Sequence, residues 1–313
     1  MFSSLASRPA YDPLAMAVPV SVVIPAWRCG RYVEAAIRSV QAQTVQPLEV
    51  IVVDDASPDG TADKARALGV TVIEHESNAG VGRTRNDGVA AARGAWIASL
   101  DCDDEWLPQH LETLWAAREG HVLVSAAAIT TGDRRPRALG WAGRGPRLLD
   151  SPAKAILPEP IVRTSGVIFR REDALAVGGF RPEQRRAQDL DLWLRLLERG
   201  TGVALPVVTS RYRVHPDQAS ADRATGRQAQ REILASSADR PWCTAAVRRM
   251  RETTLAWDES RARALRLATT SPRGARALAA LLLNRRAQRR LVNKTARSPA
   301  HGRRSGALPP GSR

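Results

Sequence analysis

The sequence predicts an α/β protein, a mostly parallel sheet flanked by helices, followed by a basic helical C-terminal extension. Three observations carry that reading. Short apolar, β-branched runs alternate with stretches of helical spacing from Val20 to Ala126. Polar residues suited to ligand chemistry follow three of those runs directly. Positive charge is concentrated beyond residue 240.

The elements follow in order. Val20 to Ile24 reads as a buried strand ended by Pro25. From Arg31 to Gln41, apolar Val33, Ala36, Ile37 and Val40 have helical spacing. Glu49 to Val53 is a second strand that ends at Asp54-Asp55, and Asp59-Gly60-Thr61 opens a helix to Leu68. Val70 to Ile73 is a third strand, Val81 to Ala92 a helix, Ala95 to Leu100 a fourth strand, Leu107 to Arg118 a helix and His121 to Ala126 a fifth strand. Thr131 to Pro160, rich in Gly, Pro and Arg, reads as one long irregular loop of the kind that often binds ligands. Regular signals return as a strand at Val167 to Phe169 and a helix from Glu172 to Val177. The Gly178-Gly179-Phe180 turn, a helix from Asp189 to Glu198 and two last strands, Val203 to Val208 and Arg211 to Val214, complete the pattern.

Alternating apolar strands and helices indicate a sheet covered on both faces. Ligands of such sheets bind beyond the carboxyl ends of the strands. That rule collects Pro25-Ala26-Trp27, Asp54-Asp55 and Asp101 to Asp104 at one edge. In Asp101-Cys102-Asp103-Asp104, alternate residues of an extended chain point to one side, so Asp101 and Asp103 face a common point. Paired carboxylates there suit Mg²⁺ or Mn²⁺, whose shell substrate phosphates usually complete. Taken alone, the same tetrapeptide also suits an acidic turn capping the next helix. The first strand lacks the Gly-rich turn of a dinucleotide-binding dehydrogenase.

Composition bounds the rest. A chain of 313 residues with 43% hydrophobic content is long enough for one large domain with additions. Three cysteines, an odd number in no zinc-like spacing, point to a reduced compartment and not to a disulfide scaffold. Residues 1 to 19 show no signal-peptide pattern, and no apolar run reaches membrane-spanning length.

Taken together, the motifs resemble the family-two, GT-A-type nucleotide-sugar glycosyltransferases over about Pro19 to Ser220. The match runs through Val20 to Trp27, Val52 to Thr61, Asn78 to Gly88, Leu100 to Asp104, Gly178-Gly179-Phe180 with Gln188-Asp189 and Trp193, and Tyr212 to Pro216, in the family's order. The resemblance implies a Rossmann-like GT-A domain over residues 19–220, with a nucleotide-sugar half (19–127) and an acceptor half (128–220). An N-terminal arm (1–18), a basic helical extension (221–293) and a disordered tail (294–313) flank it. It implies inverting transfer of a sugar from a nucleoside diphosphate donor, UDP by expectation, to a hydroxyl on a glycan or lipid-linked acceptor.

The site residues implied are Pro25, Ala26 and Trp27 near the base and ribose, and Asp54 as acceptor for the uracil imide beside Asp55. Arg85 would meet the diphosphate and Asp101 the ribose hydroxyls. Asp101, Asp103 and His215 would hold Mn²⁺ or Mg²⁺, with Asp104 orienting the following segment. Asp189 would be the general base; Gln188 stands where the family often has Glu. Arg83 and Asp191 are expected to face solvent. Acceptor choice is expected to rest on Thr131 to Pro160 and the face around Trp193.

From Pro241 to Arg313, 17 Lys and Arg stand against 3 Asp and Glu, a net +14 of the chain's +15. Leu278, Leu281 and Leu282 lie near Arg285, Arg286, Arg289 and Arg290. That pattern fits either a basic amphipathic helix on an anionic membrane or a helical extension packed on the catalytic domain. The charge allows nucleic acid, but the absence of a recognition motif and of aromatic platforms argues against it. The expected location is the cytoplasm, with peripheral contact at the inner face of the membrane.

Overall fold

The computed structural model describes residues 17–132, 135–218, 221–269 and 271–296. The strands are β1 (Val18–Ala26), β2 (Pro47–Asp54), β3 (Thr71–Glu74), β4 (Trp96–Ser99), β5 (Glu105–Trp106), β6 (Leu123–Thr131), β7 (Ala138–Leu139), β8 (Arg147–Leu149), β9 (Val167–Arg170) and β10 (Gly202–Arg213). The helices are α1 (Val33–Gln41), α2 (Thr61–Ala67), α3 (Val81–Ala91), α4 (His110–Ala116), α5 (Pro152–Ile156), α6 (Arg171–Ala176), α7 (Gln188–Leu197), α8 (Arg223–Ser236), α9 (Ala245–Glu259), α10 (Arg261–Thr269) and α11 (Pro272–Ala296).

One sheet runs β3-β2-β1-β4-β9-β6-β10-β5, with β7 beside β6 and β8 beside β10. The β3-β2-β1-β4 half is parallel, as is β6-β10, whereas β9 lies antiparallel between β4 and β6. After β1 the chain builds outward on one side, then returns to place β4 on the other. The crevice at the carboxyl ends of β1 and β4 is thus the topological switch point.

Strand β1 explains why its sequence is continuously apolar. Val20, Val22 and Ile24 enter one core with Val33, Ile37 and Val40 of α1 and Leu111 and Leu114 of α4. Val23 faces the other core with Val53, Val89, Phe169, Phe180 and Trp193. Helix α3 comes close enough to the sheet that a Cβ on Gly88 would lie 2.4 Å from the Val23 side chain. A side chain there would have to displace packed strand atoms.

Two expectations need correction. The stretch from Thr131 to Pro160 contains β7, β8 and α5 and is only partly irregular. The two last strands are one strand, β10, whose register against β6 shifts between Leu205 and Ser210. Pro206 has no N–H to give the ladder, so the break in pattern is a local irregularity and not a strand end.

The extension is helical and packed. Arg251 of α9 is 4% exposed and donates to the Pro158 carbonyl at 3.1 Å. Burial draws its guanidinium down to about 10, which leaves it charged at neutral pH. Asn284 and Gln288 of α11 donate to Glu159, and Gln288 also donates to the Gly140 carbonyl. Helix α11 continues to Ala296, so residues 294–296 are helical where a disordered tail is expected. The rest of that tail and residues 1–16 of the expected arm lie outside the described residues.

Candidate active site

The strand ends deliver the expected residues to one edge. Ala26 is paired with Asp54 across β1 and β2, and the Asp55 N–H donates to the Ala26 carbonyl. Pro25 lies one residue deeper, opposite Val53. Trp27 is 49% exposed, with the Arg28 guanidinium 4.7 Å from its ring centroid, so it presents a face to solvent and is no core aromatic.

Asp54 and Asp55 are both 2% exposed but differ in engagement. One Asp54 oxygen accepts from the Ser57 N–H at 3.1 Å; the other, Oδ1, is buried with no partner. A buried carboxylate oxygen left so is costly and calls for a donor. Asp55 is fully occupied instead. It accepts from the Ala79 and Gly80 N–H groups at 2.8 and 2.9 Å and pairs with His75 at 2.7 Å. It fixes the loop leading into α3.

Arg85, 7% exposed on α3, donates to Asp101 at 2.7 Å and lies 5.4 Å from the Phe180 ring centroid. The Gly-Gly-Phe turn explains this placement. Asn86 exchanges two hydrogen bonds with the Phe180 backbone at 2.7 and 2.8 Å. Gly179 has φ +68, and a Cβ there would stand 2.4 Å from the Asn86 Oδ1. Only glycine suits both conditions. On the same helix, Arg83 is 60% exposed and paired with Asp87, as expected of a solvated residue.

The acidic tetrapeptide is held from two sides. The Asp101 N–H donates to the Ser165 Oγ at 3.1 Å, and that hydroxyl donates to Asp104 at 2.5 Å. Asp104 also accepts from the Arg213 N–H at 2.9 Å, which fits its expected role of orienting the segment. Asp103 meets the His215 Nε2 at 2.9 Å. Loss of water around Asp101 pushes its carboxyl up, Arg85 opposes this, and Asp103 and Asp189 add to it. Asp104 is pushed well up by burial and by the charges of Asp103 and Asp101.

Among the described residues, no three Asp, Glu, His or Cys side chains form a ready metal cage. One Asp101 oxygen is engaged by Arg85, whereas Asp103 and His215 are engaged with each other. The donor set still fits Mg²⁺ or Mn²⁺. These ions are often held by one or two side chains plus phosphate oxygens, and Asp103 and His215 are an oxygen and a nitrogen donor already 2.9 Å apart.

Asp189 sits in the first turn of α7. It accepts from the Leu190 N–H at 2.8 Å and from the Thr164 hydroxyl at 2.7 Å. Thr164 and Ser165 are adjacent, so one short turn before β9 ties Asp189 to the Asp101–Asp104 segment. Sequence reasoning passed over this turn. Its available signal was a Thr-Ser-Gly directly before an apolar strand, in the half of the chain with the weaker motifs.

Three further expectations are corrected. Asp191 is 5% exposed and ion-paired with Arg195 and Arg181, so it does not face solvent. Trp193 is fully buried between Phe169 and Phe180 and offers no surface to an acceptor. Cys29 and Cys102 are joined as a disulfide, contrary to the reading of three reduced thiols, while Cys243 is free and buried. That bond ties the turn after β1 to the acidic tetrapeptide.

Comparison with known proteins gives the family and the fold. The model of glycosyl transferase family 2 matches residues 21–173. The putative glycosyltransferase EpsE of Bacillus subtilis is 30% identical over 193 residues, covering 58% of this chain and 67% of that protein. The succinoglycan biosynthesis protein ExoO of Rhizobium meliloti is 34% identical over 159 residues, covering 49% and 44%. The chain thus spans between about two-fifths and two-thirds of the length of these relatives. Among solved structures, S. aureus TarS 1-349 in complex with UDP superposes with TM-score 0.59 at 19% identity, over 79% of this chain and 73% of that one. The mannosyltransferase PcManGT from Pyrobaculum calidifontis, in complex with GDP-Man and Mn²⁺, gives TM-score 0.59 at 21% identity, over 91% and 81%. The two structures share the GT-A fold of this molecule, and the chain belongs to glycosyl transferase family 2.

Proposed function

We propose that the cleft is the active site of an inverting glycosyltransferase, with a nucleoside diphosphate sugar, UDP-linked, as donor and a hydroxyl of a glycan or lipid-linked glycoconjugate as acceptor. The observation that carries this reading is the Thr164-Ser165 turn, which joins Asp189 to the Asp101–Asp104 segment. A base and a diphosphate-side acidic cluster so joined are what displacement at an anomeric carbon requires.

In this reading Trp27 stacks on the base, with Pro25 and Ala26 lining its edge. The buried, unpartnered Asp54 Oδ1 accepts the uracil imide N–H. Asp55 acts indirectly, by fixing the loop ahead of α3. Arg85 spans from Asp101 toward the diphosphate, a geometry that guanidinium suits well. Asp103 and His215 would hold Mn²⁺ or Mg²⁺, which supplies neutralisation of charge on the leaving diphosphate.

The acceptor oxygen attacks the anomeric carbon from the face opposite the diphosphate. Its proton passes to Asp189, and the bond from the anomeric carbon to the diphosphate oxygen breaks. Thr164 holds one Asp189 oxygen, and the other accepts the Leu190 N–H. Both contacts fix the orientation of the carboxylate. GDP-Man and UDP complexes of the two similar structures support a nucleotide in this cleft. ExoO, a succinoglycan biosynthesis protein, supports a glycan acceptor.

The test is nucleotide release from a panel of nucleotide sugars with Mn²⁺, Mg²⁺ or chelator. Release from one donor, dependent on metal and lost in Asp103→Asn, is the expected result. No release from any donor, with no thermal shift by UDP plus Mn²⁺, contradicts the proposal.

A further inference from the structure

Helix α11 divides its residues sharply. Ala277, Leu278, Leu281 and Asn284 are buried against the rest of the molecule. The opposite side carries Leu282 and Leu283, which are 45% and 67% exposed. Helical spacing places Arg276, Arg286 and Arg290 in line with Leu283, and Arg286 and Arg289 in line with Leu282. All four arginines are exposed, and none has an acidic partner among the described residues. By contrast, Arg285 on the inner side pairs with Asp258 and Glu159. The helix contains no acidic residue over its 25 positions.

We infer that this outer face of α11 docks on an anionic lipid bilayer. Adjacent exposed leucines ringed by unpaired arginines match a surface with apolar depth and negative headgroups. Nucleic acid would use the arginines but leave the leucines in water, and the face has no aromatic on which a base could stack. A second copy meeting the same face across a two-fold axis would set arginine against arginine. Among the described residues no helix is long and apolar enough to cross a membrane, so docking through this face would be peripheral.

The inner side of α11 gives the docking a direction. Gln288 bonds the Gly140 carbonyl, and Asn284 and Gln288 bond Glu159. A docked molecule therefore holds Gly140 and Glu159 about one helix diameter, ~10 Å, from the headgroups. The inference stands independently of the transferase reading.

The test is flotation of the full chain with phosphatidylcholine vesicles and with vesicles that also contain phosphatidylglycerol, at low and high salt. Binding should need phosphatidylglycerol and weaken with salt. Arg286→Glu with Arg290→Glu should reduce partitioning at least about twentyfold, since each positive charge is worth about fivefold. Leu282→Ser with Leu283→Ser should reduce it about tenfold. These side chains are exposed, so both double variants should keep the wild-type melting temperature. Absence of binding to the anionic vesicles, or binding indifferent to both double variants, overturns the inference. So does binding of duplex nucleic acid, or self-association, through these residues without vesicle binding.

Discussion

The candidate site and the C-terminal helices handle charge in opposite ways. At the site most of the acidic and basic groups are sunk and partnered. Asp55, Arg85 and Asp104 are each under 8% exposed, and each has a named partner. On α11 the arginines of the outer face are exposed and have no acidic partner among the described residues. Buried, partnered charge fixes geometry, because any group that moves leaves another unsatisfied in a low-dielectric setting. Exposed, unpaired charge fixes almost nothing within the fold and is free to meet something outside it. One region thus reads as machinery and the other as a contact surface.

The largest expected effect is at the proposed base. Asp189→Asn keeps the shape and the Thr164 contact but cannot take a proton, so transfer should fall about 10²- to 10⁴-fold while the melting temperature stays near wild type. A loss below tenfold would break the distinction between machinery and scaffold here.

His110 comes next. It is fully buried, stacked on Trp106, and burial lowers its pKa to about 3. The folded state holds it neutral, whereas the unfolded chain protonates it near 6.5. Its stabilising contribution is therefore complete above about pH 6.5 and is lost as pH falls toward 3. Denaturation of wild type between about pH 6 and 4 should show a slope steeper than that of His110→Gln by about 1.4 kcal/mol per pH unit. Equal slopes would show that the imidazole can charge in place.

Ser165→Ala is the sharper probe of the site's internal network. It removes the hydroxyl that donates to buried Asp104 and accepts from the Asp101 N–H. A loss of about 1–3 kcal/mol in urea denaturation is expected, with activity reduced as the acidic segment loosens. A neutral result would mean the acidic segment is held by other contacts. The smallest effect belongs to α11, where Arg286→Glu with Arg290→Glu should change stability by under about 0.5 kcal/mol and leave turnover of a soluble donor unchanged.

The same contrast explains what could be read in advance. Central parallel strands are buried on both faces, so β1, β2 and β4 stand out as apolar runs, and ligand residues at their ends follow from the switch-point rule. Trp27, Asp54 and the Asp101–Asp104 segment were legible for that reason. The partners of Asp55 were not, because His75, Ala79 and Gly80 lie 20 to 25 residues away and only folding brings them to it. Trp193 misled because an amphipathic pattern shows one apolar stripe, whereas α7 also buries Asp191, paired with half-buried Arg195, on another side. The Cys29–Cys102 bond spans 73 residues and connects two loops, a pairing that spacing cannot disclose. The Thr164-Ser165 turn escaped because its one signal, Thr-Ser-Gly before an apolar strand, does not disclose which carboxylates the hydroxyls meet.

The most direct test of the account is calorimetric titration of UDP into the full chain with Mn²⁺, in wild type, Asp103→Asn and Asp189→Asn. The account predicts binding that chelator removes, that Asp103→Asn abolishes or weakens severely, and that Asp189→Asn leaves intact. Absence of UDP binding to wild type, or binding indifferent to both Mn²⁺ and Asp103, would contradict it.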